Sequence, residues 1–233
     1  MKVFKTVSEF VGWKSKKNSS LGFVPTMGAL HNGHLSLIKK SKELCDLSVV
    51  SIFVNPAQFA PHEDLDLYPK TLSTDMKSLK KLKVDVLFLP SEKEMYAKVP
   101  DVEVPPSSLF DKLEGKSRPH FFYGVTKIVS KLFNVVGPSH AFFGEKDAQQ
   151  IIIIQEMIAK MNYRLNLVSC PTIRDENGLA LSSRNQYLSA SEQKEASLFS
   201  KSLLQVWKDI NKGESKPSIL KKQFENSLSQ SSK

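Results

Sequence analysis

Two imidazoles three residues apart, with a glycine between them, open the chemistry of this chain: His31-Asn32-Gly33-His34, inside the run Pro25 to Leu35. The apolar segment Leu21 to Val24 precedes that run and reads as a short buried strand. Beyond it Leu35, Leu37, Ile38, Ser41, Leu44 and Cys45 follow helical spacing. Strand, glycine-bearing turn and helix is the arrangement that aims backbone N–H groups and a helix N-terminus at an anion. Gly28 and Gly33 allow the backbone to turn tightly and to approach a ligand closely. The expected chemistry is phosphate binding, with His31 and His34 at the mouth of the site.

The nearest phosphate motif fails at its end. Gly28 and Gly33 have the spacing of the loop G-x-x-x-x-G-K-[ST], but His34 and Leu35 stand where its Lys and Ser/Thr should be. No hydroxyl is then offered to magnesium and no ammonium to the outer phosphates. Gly115-Lys116-Ser117 has the ending, yet Phe110 replaces the first glycine. Phosphoryl transfer of the P-loop kind is not expected. The competing reading of two histidines is a metal pair. No H-E-x-x-H occurs, and His62, His120 and His140 have no neighbouring Cys or His, so no metal site is expected.

With 233 residues the chain holds one large domain, or one domain and a small appendage. Its 40% hydrophobic and 24% charged residues are ordinary for a globular protein. No apolar run approaches spanning length, and the opening MKVFKTVSEF lacks the apolar segment of a signal peptide. No membrane partner is expected. Cys45 and Cys170 suit neither a disulfide framework nor a metal, and read as core thiols in a reducing cytoplasm. The net charge of +9 sits on scattered lysines without interleaved aromatics, so solvated helix faces account for it better than a nucleic-acid partner.

Strand and helix patterns alternate. A strand near 21–24 leads to a helix near 33–45, then a strand at Leu47 to Val54, a helix near 72–83 and a strand at Val84 to Leu89. After a Pro-rich passage come a helix near 123–136, a strand at Ala141 to Phe143, a helix at 147–161 and a strand at Leu165 to Ser169. Near-continuous apolar strands in such alternation argue for an α/β, Rossmann-like parallel sheet with helices on both faces. Ligands bind such sheets beyond the carboxyl ends of the strands. Gly28 to His34, Asn55 to Phe59 and Gly144 to Asp147 all follow strands, so three loops would meet at one edge. The expected domains are 1–174 and a hinge with a short helical lid domain at 175–233. Within the latter, Ser189 starts a helix and Ser227 to Lys233 is a frayed polar end.

Five blocks in colinear order, FVPTMGALHNGHLSLI, VSIFVNPAQF, LYPKTLSTD, FGEKDAQQ and LALSSRNQYLS, resemble the pantothenate synthetase family of the H-x-G-H nucleotidyltransferases. The resemblance implies condensation of pantoate with β-alanine, using ATP with its Mg2+, through a pantoyl-adenylate that releases pyrophosphate and then AMP. It implies an ATP site at Met27, Gly28, Ala29, Leu30, His31, Asn32, Gly33, His34, Gly144, Glu145, Lys146, Asp147, Ile173, Leu181, Ser182, Ser183 and Arg184. It implies pantoate on Gln58 and Gln150, with Gln58 also near β-alanine, and a cytoplasmic homodimer. His34, His31, Lys146 and Arg184 are the catalytic candidates.

Neutral amides suit a carboxylate that must stay nucleophilic, and a hydrogen-bond donor suffices where the family convention makes His34 a proton donor. Asp147 also reads as a helix cap. Phe121 and Tyr123 stand where the family commonly has His and Arg, Ala148 replaces a usual aromatic, and the C-terminal domain is shorter than usual. Two other readings are a non-catalytic RNA-binding relative and a nucleotidyltransferase with another acceptor. Retention of His31, His34, Lys146 and Arg184 speaks against the first, and Gln58 and Gln150 against the second.

Overall fold

The four central strands send alternate side chains into two separate cores, as a sheet covered on both faces requires. In the computed structural model, which describes residues 1–229, the strands are β1 (Lys2–Phe4), β2 (Leu21–Thr26), β3 (Leu47–Ile52), β4 (Val86–Phe88), β5 (His140–Gly144) and β6 (Asn166–Cys170). They form one parallel sheet in the order β1-β4-β3-β2-β5-β6. The helices of this region are α1 (Val7–Lys14), α2 (Asn32–Leu44), α3 (Leu72–Lys81), α4 (Glu92–Ala97), α5 (Glu114–Ser117), α6 (Phe121–Val136) and α7 (Ala148–Lys160).

Phe23, Val49, Val86, Phe88, Ala141 and Phe143 share one core with Phe10 of α1, the apolar stripe of α6, and Ile151, Ile154 and Met157 of α7. Val24, Val50, Leu87 and Phe142 share the other with Leu37 and Ile38 of α2 and Leu79 of α3. The doubly covered α/β sheet expected from the apolar strands is what forms.

This topology decides where a ligand goes. From β2 the chain builds outward through β3 and β4, then crosses back to place β5 and β6 on the other side. The connections diverge between β2 and β5, which opens a crevice at their carboxyl ends. The His31–His34 segment follows β2, and the Glu145–Asp147 3₁₀ turn follows β5.

Some boundaries differ from those expected. β3 stops at Ile52, because the chain turns into Asn55-Pro56 rather than extending through Val54. β4 starts at Val86, because Lys83 takes a positive φ of 53° and Val84 N–H still bonds the Leu79 carbonyl at 3.1 Å, unwinding α3. α1 and α4 escape periodicity because they are short, yet each carries a Ser/Thr-x-x-Glu start. Thr6 accepts from Glu9 N–H at 3.3 Å, and Ser91 from Glu94 N–H at 3.2 Å. The Pro-rich passage is pinned to α6 by Asp101, which pairs with Lys127 at 2.9 Å and with fully buried Lys131 at 2.7 Å. Of the two thiols read as core, Cys170 is buried, whereas Cys45 ends α2 only partly covered, its Sγ 3.5 Å from His140 Nδ1.

The chain divides into two compact units, Met1–Pro171 and Thr172–Lys233. In the second, a 3₁₀ turn (Ser183–Tyr187) precedes α8 (Ala190–Asn211) and α9 (Pro217–Ser229). The Ser189–Glu192 capping box starts α8. Phe199 and Phe224 join the two helices edge to face, with centroids 5.3 Å apart. The frayed end expected from Ser227 is instead helical through Ser229, with Ser227 donating to Ser202 Oγ at 2.6 Å; the rest of that expected segment lies outside the described residues. Among the described residues no helix is long and apolar enough to cross a membrane.

Candidate active site

The turn after β2 is held from below. Thr26 Oγ1 donates to the Ser51 carbonyl at 2.7 Å and accepts from Gly28 N–H at 3.2 Å. Gly28 and then Ala29 take positive φ, 84° and 49°. For Ala29 this left-handed conformation costs roughly 1–2 kcal/mol. Consecutive amides in such a turn form an anion-binding concavity, and here the protein fills it itself. Asp75 on α3, only 2% exposed, accepts from Ala29 N–H at 3.0 Å and Leu30 N–H at 2.8 Å. Thr71 Oγ1 lies 3.2 Å from both carboxylate oxygens. The Ala29 and Leu30 amides therefore already serve an internal carboxylate, which differs from the expectation that the turn's N–H groups face a phosphate. The first turn of α2 and the imidazoles are the donors left for one.

Both histidines are locked by the start of α2. His31 is its N-cap, and its Nδ1 accepts from Gly33 N–H at 3.1 Å. His34 reaches back, its Nδ1 accepting from His31 N–H at 3.4 Å. An amide N–H can only donate, so each Nδ1 carries a lone pair and each neutral ring carries its proton on Nε2. The capping box thus leaves two Nε2–H donors on rings whose centroids lie 4.1 Å apart.

Burial, reinforced by the His31 and Lys146 charges, lowers the His34 pKa to about 3. Burial and Lys146 also lower that of His31, against a raising effect of Asp147. His34 is therefore neutral across the physiological range. The unfolded chain binds this proton more readily than the folded one, so the linked stability is present above pH 6.5 and is lost as pH falls toward about 3.

The loop after β5 supplies the charge. Lys146 Nζ pairs with Asp147 Oδ1 at 3.0 Å, and both act electrostatically on His31. Asp147 occupies the N-cap position of α7, but its carboxylate makes no capping bond and holds Lys146 instead, so the alternative reading of it as a helix cap does not hold. Glu145 Oε1 accepts from Ser169 Oγ at 3.4 Å. Gln150 is half-buried in the first turn of α7.

Gln58 closes the third side. Its Oε1 accepts from Asn55 Nδ2 at 3.2 Å, and its Nε2 lies 2.9 Å from Met27 Sδ, so the amide's orientation is set and the β2 and β3 loops are tied together. Asn55, 1% exposed, also donates to the Gly124 carbonyl at 3.1 Å and accepts from Tyr96 OH. α6 meets this loop backbone to backbone, since a Cβ on Gly124 would lie 2.2 Å from the Ala57 carbonyl oxygen. Arg118 braces the same loop, bonding Glu63 through Nε at 2.6 Å and the Gln58 carbonyl at 3.2 Å, with its guanidinium 3.9 Å above the Phe121 ring. Phe121, at a position commonly polar in the resembled family, thus serves as a stacking platform. Tyr123 is half-exposed and packs edge to face on Phe110.

The remaining candidates belong to the second unit. Arg174 and Ala180 form an antiparallel bridge, and Leu181 N–H donates to the Ile173 carbonyl at 2.9 Å, so Ile173 and Leu181 are neighbours. Ser182 caps the following 3₁₀ turn, its hydroxyl accepting from Arg184 N–H at 3.3 Å, with Ser183 and Arg184 opening that turn.

A family model described as pantoate-beta-alanine ligase matches residues 2–233. The chain belongs to the pantoate-β-alanine ligase family. Among its relatives, the pantothenate synthetase of Acetivibrio thermocellus is 47% identical over 225 residues, spanning 95% of this chain and 80% of that one. The pantoate–β-alanine ligase of Saccharomyces cerevisiae is 50% identical over 81% of this chain and 65% of its own. The crystal structure of the Thermus thermophilus pantothenate synthetase superposes with a TM-score of 0.93 at 38% identity, covering 99% of this chain and 83% of that one. The Francisella tularensis pantoate-β-alanine ligase, solved with β,γ ATP and β-alanine, gives 0.83 at 37%, covering 97% and 86%.

The sequence reading placed Asn55 in one of the three loops and Asp75 at the end of the LYPKTLSTD block, but gave neither side chain a role. An Asp in a helix's first turn ordinarily complements the helix dipole. An Asn before Pro ordinarily makes a turn. Neither spacing announces a partner 45 or 69 residues away.

Proposed function

We infer that this chain condenses pantoate with β-alanine at the expense of ATP. The pantoate carboxylate attacks the α-phosphorus and expels pyrophosphate; the β-alanine amine then attacks the acyl carbon of pantoyl-adenylate and expels AMP. Membership of the ligase family supports the reaction. The observation that carries the assignment of residues is the locked histidine pair beside Lys146 at the β2/β5 crevice.

In this reading ATP lies along Met27 to His34 and Gly144 to Asp147, and the family resemblance adds Ile173 and Leu181 to Arg184 to the residues that bind it. The Nε2–H groups of His31 and His34 donate to phosphate oxygens as charge develops on the pyrophosphate. His34, neutral and partly buried, acts as a hydrogen-bond donor rather than as an acid that gives up its proton. Lys146 and Arg184 offset the repulsion between the pantoate carboxylate and the phosphates. Gln58 and Gln150 hold pantoate through neutral amides, which leave the carboxylate nucleophilic and favour substrates with hydroxyls to match.

Mg2+ enters with ATP. It usually takes one or two carboxylates plus phosphate oxygens, and Asp147 is the carboxylate that acts electrostatically on His31. It would neutralise the departing pyrophosphate. A homodimer, a cytoplasmic location and a lid role for residues 175–233 complete the proposal and rest on the family resemblance.

Exchange of labelled pyrophosphate into ATP tests it. The exchange should require pantoate, proceed without β-alanine and not accept CTP. Exchange without pantoate would refute the substrate assignment.

A further inference from the structure

We propose that Asp75 is a positioning residue for the adenylation half-reaction, acting through the turn that carries His31 and His34. The inference rests on the reading of that turn as the nucleotide site.

The argument begins with cost. A carboxylate 2% exposed must have partners or be neutralised. Asp75 has three donors, and two of them are consecutive amides of the turn that ends at His31, at 3.0 and 2.8 Å from separate oxygens. The third, Thr71 Oγ1, comes from one helical turn earlier on α3 and lies 3.2 Å from each oxygen. The turn is unfavourable on its own, since Ala29 is not glycine and yet takes a φ of 49°. Charge-assisted bonds from Ala29 and Leu30 to one buried acceptor are what hold that conformation against relaxation.

Their position gives the brace a catalytic meaning. Leu30 immediately precedes His31, whose φ of −126° and ψ of 175° make it the cap of α2. The cap bond from Gly33 fixes the His31 ring, and the His31 amide fixes the His34 ring. A turn free to rotate at 29–30 would swing the His31 amide away from His34 Nδ1, which is already at 3.4 Å. Both Nε2–H donors would then lose their fixed direction. The carboxylate also packs close to the turn: a Cβ at Gly28 would lie 3.2 Å from both Asp75 Oδ2 and Ile52 Cγ2. Asp75 touches no reacting atom in this scheme. It sets the aim of the groups that do.

Asp75→Asn tests the idea with almost no change of volume. The carboxamide offers one oxygen where two are needed, and its NH2 would face an amide N–H. Pantoate-dependent pyrophosphate exchange should lose about 10²-fold in kcat, the scale of a misplacement near 1 Å, with KM for ATP changed far less. The decisive arm combines it with loss of both rings, His31→Asn together with His34→Ala, the Asn keeping a capping oxygen for α2. If Asp75 works through the histidines, adding Asp75→Asn to that pair should make it no more than about three-fold worse. A purely structural role would make the two losses multiply, and that result would overturn the proposal, as would wild-type kcat in a folded Asp75→Asn.

Should Asp75→Asn not fold, Thr71→Val asks the same question by freeing the carboxylate on one side. A lower kcat at unchanged KM supports the proposal, and an unchanged kcat refutes it. If His34→Ala itself leaves exchange intact, the site assignment fails first and Asp75's role falls with it. A crippled His34→Ala beside a fully active Asp75→Asn removes only the role of Asp75.

Discussion

Replacing His34 by alanine should lower pantoate-dependent pyrophosphate exchange by about 10²- to 10³-fold, the usual consequence of deleting one preorganised donor to a developing anion. The size of the loss follows from geometry. His34 is neutral because burial, with the charges of Lys146 and of His31 when protonated adding to it, holds its pKa at about 3, and its proton sits on Nε2 because Nδ1 is occupied by the His31 amide. A fixed, partly buried neutral donor is already aimed at the departing pyrophosphate, whereas water must reorient to meet it. The loss should fall on kcat more than on KM for ATP, since the interaction strengthens as charge builds. The fold should persist, because the α2 helix keeps its N-cap at His31. His34→Gln, which retains an N–H near the same place, should recover part of the activity. Exchange within about three-fold of wild type in His34→Ala would contradict the role given to this ring.

Lys146→Met should cost a comparable amount, about 10²-fold in kcat, for a different reason. Pantoate and the triphosphate are both anions, and Lys146 is the cation of the first unit whose charge acts on both histidines. Removing it restores repulsion between the reactants. The variant carries a second signature that a packing defect would not. Lys146 lowers the pKa of His31 and of His34, so its loss should move both upward, while the Asp147 carboxylate, freed of its partner at 3.0 Å, adds to the rise for His31. Exchange by the wild type should also weaken with added salt more steeply than exchange by Lys146→Met, because a half-exposed charge is screened. Equal salt slopes with unchanged histidine titration would refute the electrostatic role.

The parallel sheet was legible because its information is local and redundant. Phe23 and Val24, or Val49 and Val50, are apolar neighbours that must face opposite sides of a strand, and only a doubly covered sheet accepts both. The three loops were legible because each follows such a strand. What escaped was long-range and polar. Asp75 looks like any acidic residue in a first helical turn, and its meaning appears only when α3 lies under the β2 turn. Asn55 looks like turn punctuation until α6 arrives with Gly124 to accept its amide hydrogen. The place of Asp147 before a helix left a capping role open as an alternative, but a neighbouring ammonium takes the carboxylate. Short α1 and α4 lacked enough turns to show a periodic face, although their Thr6–Glu9 and Ser91–Glu94 starts were present in the sequence. Tertiary contacts decide which polar side chain serves the site and which serves the scaffold.

The chemistry assigned to the histidine pair depends on where two protons sit. Long-range 1H–15N correlation spectra of the histidine-labelled protein, titrated from pH 8 to pH 5, measure this directly. Both rings should appear as neutral Nε2–H tautomers at pH 8; His34 should remain so down to pH 5, with His31 titrating below the ordinary value of 6.5. Binding of a non-hydrolysable ATP analogue should then shift the Nε2 resonances and leave the capped Nδ1 resonances nearly unmoved. A His34 that protonates near pH 6.5, or that carries its hydrogen on Nδ1, would contradict the account.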